Sequence, residues 1–160
     1  MITQDDVKDK LNYDQDTGLF TWKVKPNSTK NIGDVAGTLN KNYIEICLNG
    51  KKYGAHRLAW LYMYGQFPES CIDHINNNPS DNRLCNLREA THKQNSWNSK
   101  LPVTNTTGIK NVSWHKRDKK WRVCILGKQL GLFTDFFEAC CKAFSARNSL
   151  HGEFANHGRK

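Results

Sequence analysis

Between Gly108 and Gly152 the apolar residues change period once, and few folds satisfy both halves of that pattern. Val112 and Trp114 alternate with Ser113 and His115, and Trp121, Val123 and Ile125 alternate with Arg122, Cys124 and Leu126. A period of two belongs to strands with one covered face. Gly127-Lys128 supplies a tight turn and residues 129–133 return, so a three-stranded antiparallel meander is predicted. From Asp135 the spacing lengthens. Phe137, Cys140, Cys141 and Phe144 fall at i, i+3, i+4 and i+7, the stripe of one helix face. Asp135 and Glu138 resemble a capping box, and Gly152 is a stop. One helix can cover one face of such a sheet. It is expected over Trp121, Val123 and Ile125, with Trp114 in the same core, which leaves the opposite face for a partner.

The charge distribution says what kind of partner. The chain of 160 residues carries +9. Residues 1–107 hold 13 Lys/Arg against 11 Asp/Glu, whereas residues 108–160 hold 11 against 4. The excess therefore lies in the sheet-and-helix segment, and it points to a polyanion, nucleic acid or an anionic membrane surface. No stretch approaches the ~20 apolar residues of a membrane span. The N-terminus is polar and acidic, so no secretion signal is expected. None of the six cysteines forms a C-x-x-C pair, which argues against a structural zinc site and for reduced thiols in the cytoplasm.

Upstream, the chain is strand-rich. Asp16-Thr17-Gly18 reads as a turn before an apolar run at 19–25; residues 35–39 and Tyr43–Leu48 are further strands. Asn49-Gly50, leading into residues 51–55, is the strongest short hairpin signal in the chain. Leu58, Leu61 and Tyr62 then follow a helical spacing that ends at Gly65 and Pro68.

The centre carries the chemistry. An apolar strand end delivers Asp73 and His74. A loop rich in Asn, Pro, Ser and Asp follows, Asn86 marks the return of order, and a helix is expected over 87–98, with His92 and Asn95 on one face. Phosphodiester hydrolysis needs a base to activate water and a cation to hold charge on the leaving oxygen. A histidine near its ordinary pKa of ~6.5 suits the first task. A carboxylate with neutral oxygen donors suits Mg²⁺. Residues 100–107 have no periodicity and read as a linker.

Asp73-His74, Asn86-Leu87-Arg88 and Asn95, in that strand–loop–helix order, resemble the HNH (ββα-metal) nuclease motif in its phage-type variant. Tyr13–Trp22, residues 35–39 with Tyr43–Leu48, and Ala55-His56-Arg57-Leu58-Ala59-Trp60 are similar to the N-terminal part of phage and intron-associated HNH homing endonucleases. The resemblance implies His74 as general base, Asp73 and Asn95 as ligands to one divalent cation (Mg²⁺, Mn²⁺ or another), and Asn86 as the residue orienting His74 through its other ring nitrogen. It offers Arg88 as a phosphate contact. Residues 108–155 resemble the DNA-binding domain of plant ethylene-response and APETALA-type factors, through Val112-Ser113-Trp114, Lys120–Ile125, Leu130-Gly131-Leu132-Phe133 and His151-Gly152-Glu153-Phe154. That resemblance implies major-groove reading by the face away from the helix, which here carries Ser113, His115, Arg117, Arg122, Cys124 and Gln129. Lys116, Arg117 and Lys120, at the hairpin, are expected to grip phosphate.

The expectation is an α+β chain. A nuclease module spans residues 1–99 with its motif at 71–99, a linker spans 100–107, and a sheet-plus-helix DNA-binding domain spans 108–160. The expected activity is metal-dependent hydrolysis of double-stranded DNA, nicking as a monomer, with a dimer as the route to double-strand cuts. The alternative is a non-catalytic DNA-binding regulator on a degenerate nuclease scaffold.

Overall fold

Thr3 and Asp6 close the first element on each other. In the computed structural model, which describes residues 2–158, the Thr3 hydroxyl accepts from the Asp6 amide and the Asp6 carboxylate accepts from the Thr3 amide at 2.9 Å. This reciprocal cap starts helix α1 (Gln4–Lys10), an element that the polar N-terminus did not announce. The chain divides into two compact units, Met1–His92 and Lys93–Lys160.

In the first unit α1 leads into an antiparallel hairpin, β1 (Leu11–Tyr13) with β2 (Phe20–Trp22), in the register Tyr13↔Phe20. The apolar run at 19–25 is thus a strand for only three residues. The strand expected at 35–39 begins later: Val35 makes an isolated bridge to Thr21, and β3 is Thr38–Asn40. With β4 (Tyr43–Leu48) and β5 (Lys51–Gly54) it forms a sheet of order β3-β4-β5. Asn49 and Gly50, at φ 52° and 75°, make the two-residue turn whose twist suits a hairpin, as their sequence predicts. Helix α2 (Ala55–Tyr64) follows at once and ends at Gly65, whose left-handed φ of 77° admits glycine without strain. Val7, Leu11, Phe20, Ile46, Leu48 and Leu58 form one core, each fully buried aliphatic side chain contributing about 1.5–3 kcal/mol.

Strand β6 (Cys71–His74) pairs with β7 (Leu87–Ala90), His74 opposite Leu87 and Asp73 opposite Arg88. The helix expected over 87–98 is corrected here. Its first half is the return strand β7, and helix α3 occupies only His92–Asn98. Leu87 and Ala90, three apart, fit a helical spacing, whereas in the strand they face opposite sides and both are buried. Cross-strand pairing with β6 decides for a strand.

In the second unit β8 (Val112–His115), β9 (Lys120–Ile125) and β10 (Lys128–Phe133) form the antiparallel meander, order β10-β9-β8. Helix α4 (Phe136–His151) packs on it, capped by the Asp135 carboxylate accepting from the Glu138 amide at 2.7 Å. The fold class is therefore as read from the pattern. The stripe is not. Phe137 is 75% exposed and Cys141 is exposed, while Ala139, Cys140, Ala143 and Arg147 are buried and Phe136 packs against the core. Two alanines let the helix approach the sheet closely, and the bulk comes from Trp121 and Phe136, whose ring centroids are 4.6 Å apart. Trp114, expected in this core, is 47% exposed and meets Trp121 edge-on. Among the described residues all six cysteines are free, and no helix is long and apolar enough to cross a membrane.

Candidate active site

His74 ends β6 and is only 6% exposed. Its Nε2 lies 3.2 Å from Asn82 Oδ1. The Asn82 amide nitrogen donates to Ser80 O at 3.4 Å, which orients the oxygen towards the imidazole. An acceptor at Nε2 selects the tautomer with the proton there and the lone pair on Nδ1. Burial lowers the His74 pKa from its ordinary value, against the opposing influence of the Asn82 bond and of the Asp73 and Asp81 carboxylates. The ring is therefore neutral at physiological pH, the state required of a base.

Asp73 is 3% exposed, and its Oδ2 receives Arg88 Nε at 2.8 Å and an Arg88 terminal nitrogen at 2.7 Å. The β6–β7 register places the two directly opposite. Arg88, offered by resemblance as a phosphate contact, thus holds the carboxylate next to His74. A buried carboxylate with a guanidinium on it is a compensated charge.

Asn86 is buried between the two sides of the loop. Its Oδ1 accepts from the Asn76 amide (3.0 Å), its Nδ2 donates to Asp81 O (2.7 Å), and its backbone oxygen accepts from the Ile75 amide (2.9 Å). The orienting bond that the resemblance gives to Asn86 is made to His74 by Asn82, while Asn86 clamps the loop that presents Asn82. Arg83 adds a bidentate grip on Asp81, which drops the Asp81 pKa to about 2.

The Tyr13–Gly18 segment supports that loop from behind. Tyr13 Oη donates to Asn82 O at 2.7 Å, and Gln15 O accepts from the Leu84 amide at 3.0 Å. A Cβ on Gly18 would lie 2.4 Å from the Arg83 amide nitrogen, so only glycine allows the close approach. Sequence reasoning placed the turn at Asp16-Thr17-Gly18 and missed its purpose. Asn82 was missed as well, because nothing local distinguishes it among the asparagines of the loop.

His56, at the start of α2, packs its ring 5.3 Å from that of His74, and Tyr43 touches both, at 5.4 and 6.2 Å between centroids. Gly54 leaves room for the His56 ring, which a Cβ there would meet at 2.6 Å. Burial, then the His74 and Arg57 charges, lower the His56 pKa to about 4. The helical context of His56 read as structural, and its contact with His74 is tertiary.

The remaining candidates lie in the second unit. Asn95 stands exposed on α3. Ser113 pairs with Arg122, His115 with Lys120 and Gln129 with Cys124 on one face of the sheet. Ser113, His115, Lys120 and Arg122 are half-buried and Gln129 is exposed. Lys116 and Arg117 are exposed in the β8–β9 turn, where Asp118 holds both Arg117 (3.1 Å) and His115 (3.2 Å).

Among the described residues no group of three or more His, Cys, Asp or Glu side chains converges as a metal nest. A lone carboxylate beside neutral donors fits instead a hard cation that keeps most of its waters.

Residues 53–97 match the family model described as HNH endonuclease. Protein 3.8 of Escherichia phage T7 is 41% identical over 104 residues, which cover 62% of this chain and 86% of that protein. No solved structure matches the chain.

Proposed function

Since the chain belongs to the family of phage T7 Protein 3.8 and carries an HNH endonuclease domain at residues 53–97, we propose that it is a divalent-metal-dependent DNA endonuclease. The observation that carries this reading is the His74–Asn82 pair beside Asp73, a buried neutral imidazole with its tautomer held. In the proposed reaction His74 Nδ1 takes a proton from water, the resulting hydroxide attacks phosphorus, the bond to the 3′ oxygen breaks, and that oxygen takes up a proton from solvent water. The products are a 5′-phosphate and a 3′-hydroxyl, as the HNH resemblance implies. Asp73 would hold the cation, which supplies positive charge against the leaving oxygen. Arg88 holds the carboxylate in place, and Asn86 fixes the loop on which Asn82 depends. The basic face of the β8–β9–β10 sheet, with Lys116 and Arg117 at its turn, would position duplex DNA through its phosphates.

One observation favours a second reading. Arg88 already neutralises Asp73, as it would on a scaffold that binds DNA without cutting it. Cleavage of supercoiled plasmid separates the two. With Mg²⁺ or Mn²⁺ the wild-type protein is expected to give open circles. EDTA should stop the reaction, and His74→Ala should slow it about 10²–10⁴-fold. Binding without metal-dependent cleavage by the wild type would leave the regulator.

A further inference from the structure

In the second unit the buried Arg147 and the half-buried Lys110 meet no carboxylate among the described residues. Arg147, 1% exposed on α4, donates to Lys110 O at 2.9 Å and Asn111 Oδ1 at 3.3 Å, and a terminal nitrogen lies 3.0 Å from His157 Nδ1. Its Nε–H has no acceptor among the described residues. Lys110 Nζ donates to the backbone oxygens of Trp97 and Ser99, again neutral acceptors. His151, 8% exposed, stacks on Trp97 at 4.4 Å and 9°, and neither of its ring nitrogens has a partner among the described residues. A neutral imidazole always carries one N–H, so His151 adds a second donor with no acceptor.

Unmet buried donors are rare and call for a cause. Here Arg147, Lys110 and His151 line one cavity of about 270 Å³, with Lys100, Ser99 and Asn105 also on its wall, and no Asp or Glu among its described lining residues. Burial lowers the Lys110 pKa to about 8 and that of Arg147 to about 10, as expected of cations without a counter-charge. Neutral carbonyls orient such groups but leave their charge uncompensated. A tetrahedral oxyanion offers several acceptors and the missing negative charge at once.

We propose that this cavity is a phosphate-binding site of the second unit, taking a phosphoryl group against Lys110, Arg147 and His151. The shared chemistry has two sources, a free phosphate or mononucleotide and a phosphate of the DNA backbone. The site lies wholly within Lys93–Lys160 and stands whether or not His74 cleaves.

The test uses the full chain. Inorganic phosphate, dAMP and a duplex oligonucleotide are titrated separately while the ring nitrogens of His151 are followed by NMR. A saturable shift with phosphate or dAMP that the duplex also produces, and competes for, assigns the site to the backbone. A shift with the small ligands alone assigns it to a free phosphate. His151→Phe keeps an aromatic ring against Trp97 and removes the donor. Its Kd for the shifting ligand should rise roughly tenfold or more, the scale of a hydrogen bond to a charged group. With that variant folded by circular dichroism, an unchanged Kd would overturn the assignment. So would a wild-type His151 signal that none of the three ligands moves.

Discussion

The two units treat their buried charges by opposite means. In the first, Asp73 meets Arg88, Asn82 meets His74, and Asn86 satisfies both sides of its loop. In the second, Arg147 and Lys110 are held by neutral acceptors, and His151, among the described residues, by ring stacking. A buried charge with its partner is a rigid structural part, since removing either member strands the other. A buried cation without one contributes less to stability and keeps its capacity for an external anion. The first arrangement suits a preorganised reaction centre and the second a binding site.

Removing a member of each set should break or sharpen that contrast. Arg88→Ala strands the Asp73 carboxylate and is expected to lower the unfolding free energy by about 3–5 kcal/mol. Arg147→Met removes an uncompensated charge but leaves Lys110 O and Asn111 Oδ1 short of a donor, so about 1–2 kcal/mol is expected. Chemical denaturation measures both. Equal losses would mean that Arg147 has a compensation the contacts do not reveal.

Acid should find the first unit next. The unfolded chain takes up a proton on His56 near its ordinary 6.5, while the folded protein waits until about 4. Stability from this group is therefore complete above pH 6.5 and falls as pH drops towards 4, by up to about 3 kcal/mol. The stability difference between wild type and His56→Phe, followed from pH 7 to pH 4, isolates it from His74 and His151, whose lowered values act in the same direction. A difference constant across that range would refute the assignment.

Gly18→Ala forces a Cβ against backbone at a positive φ of 73° and is expected to cost at least about 1–2 kcal/mol. Because the displaced backbone carries Asn82, plasmid cleavage should fall more than stability explains, measured at a temperature where the variant is fully folded. The smallest effect belongs to Asp135→Ala, which removes the α4 cap at a cost of about 1 kcal/mol in thermal or denaturant unfolding and leaves the first unit's stability unchanged.

What the amino-acid sequence determined by itself was whatever rests on local periodicity and turn chemistry. The Asn49-Gly50 hairpin, the Gly65 stop, the β8–β9–β10 meander and the Asp135 cap follow from residues a few positions apart. The family-scale pattern around Asp73, His74 and Asn86 was legible for the same reason, since the motif is nearly contiguous. Tertiary structure decided the rest. Whether residues 87–90 were helix or strand depended on β6 as a partner. Which face of α4 lay inward depended on how closely two alanines let it approach the sheet. The partners of His74 came from Asn82, His56 and Tyr43, and the backing of Asn82 came from Tyr13 and Gly18, up to 69 residues away. Such contacts leave no local trace, because burial and hydrogen-bond geometry are properties of the folded neighbourhood and not of residue spacing.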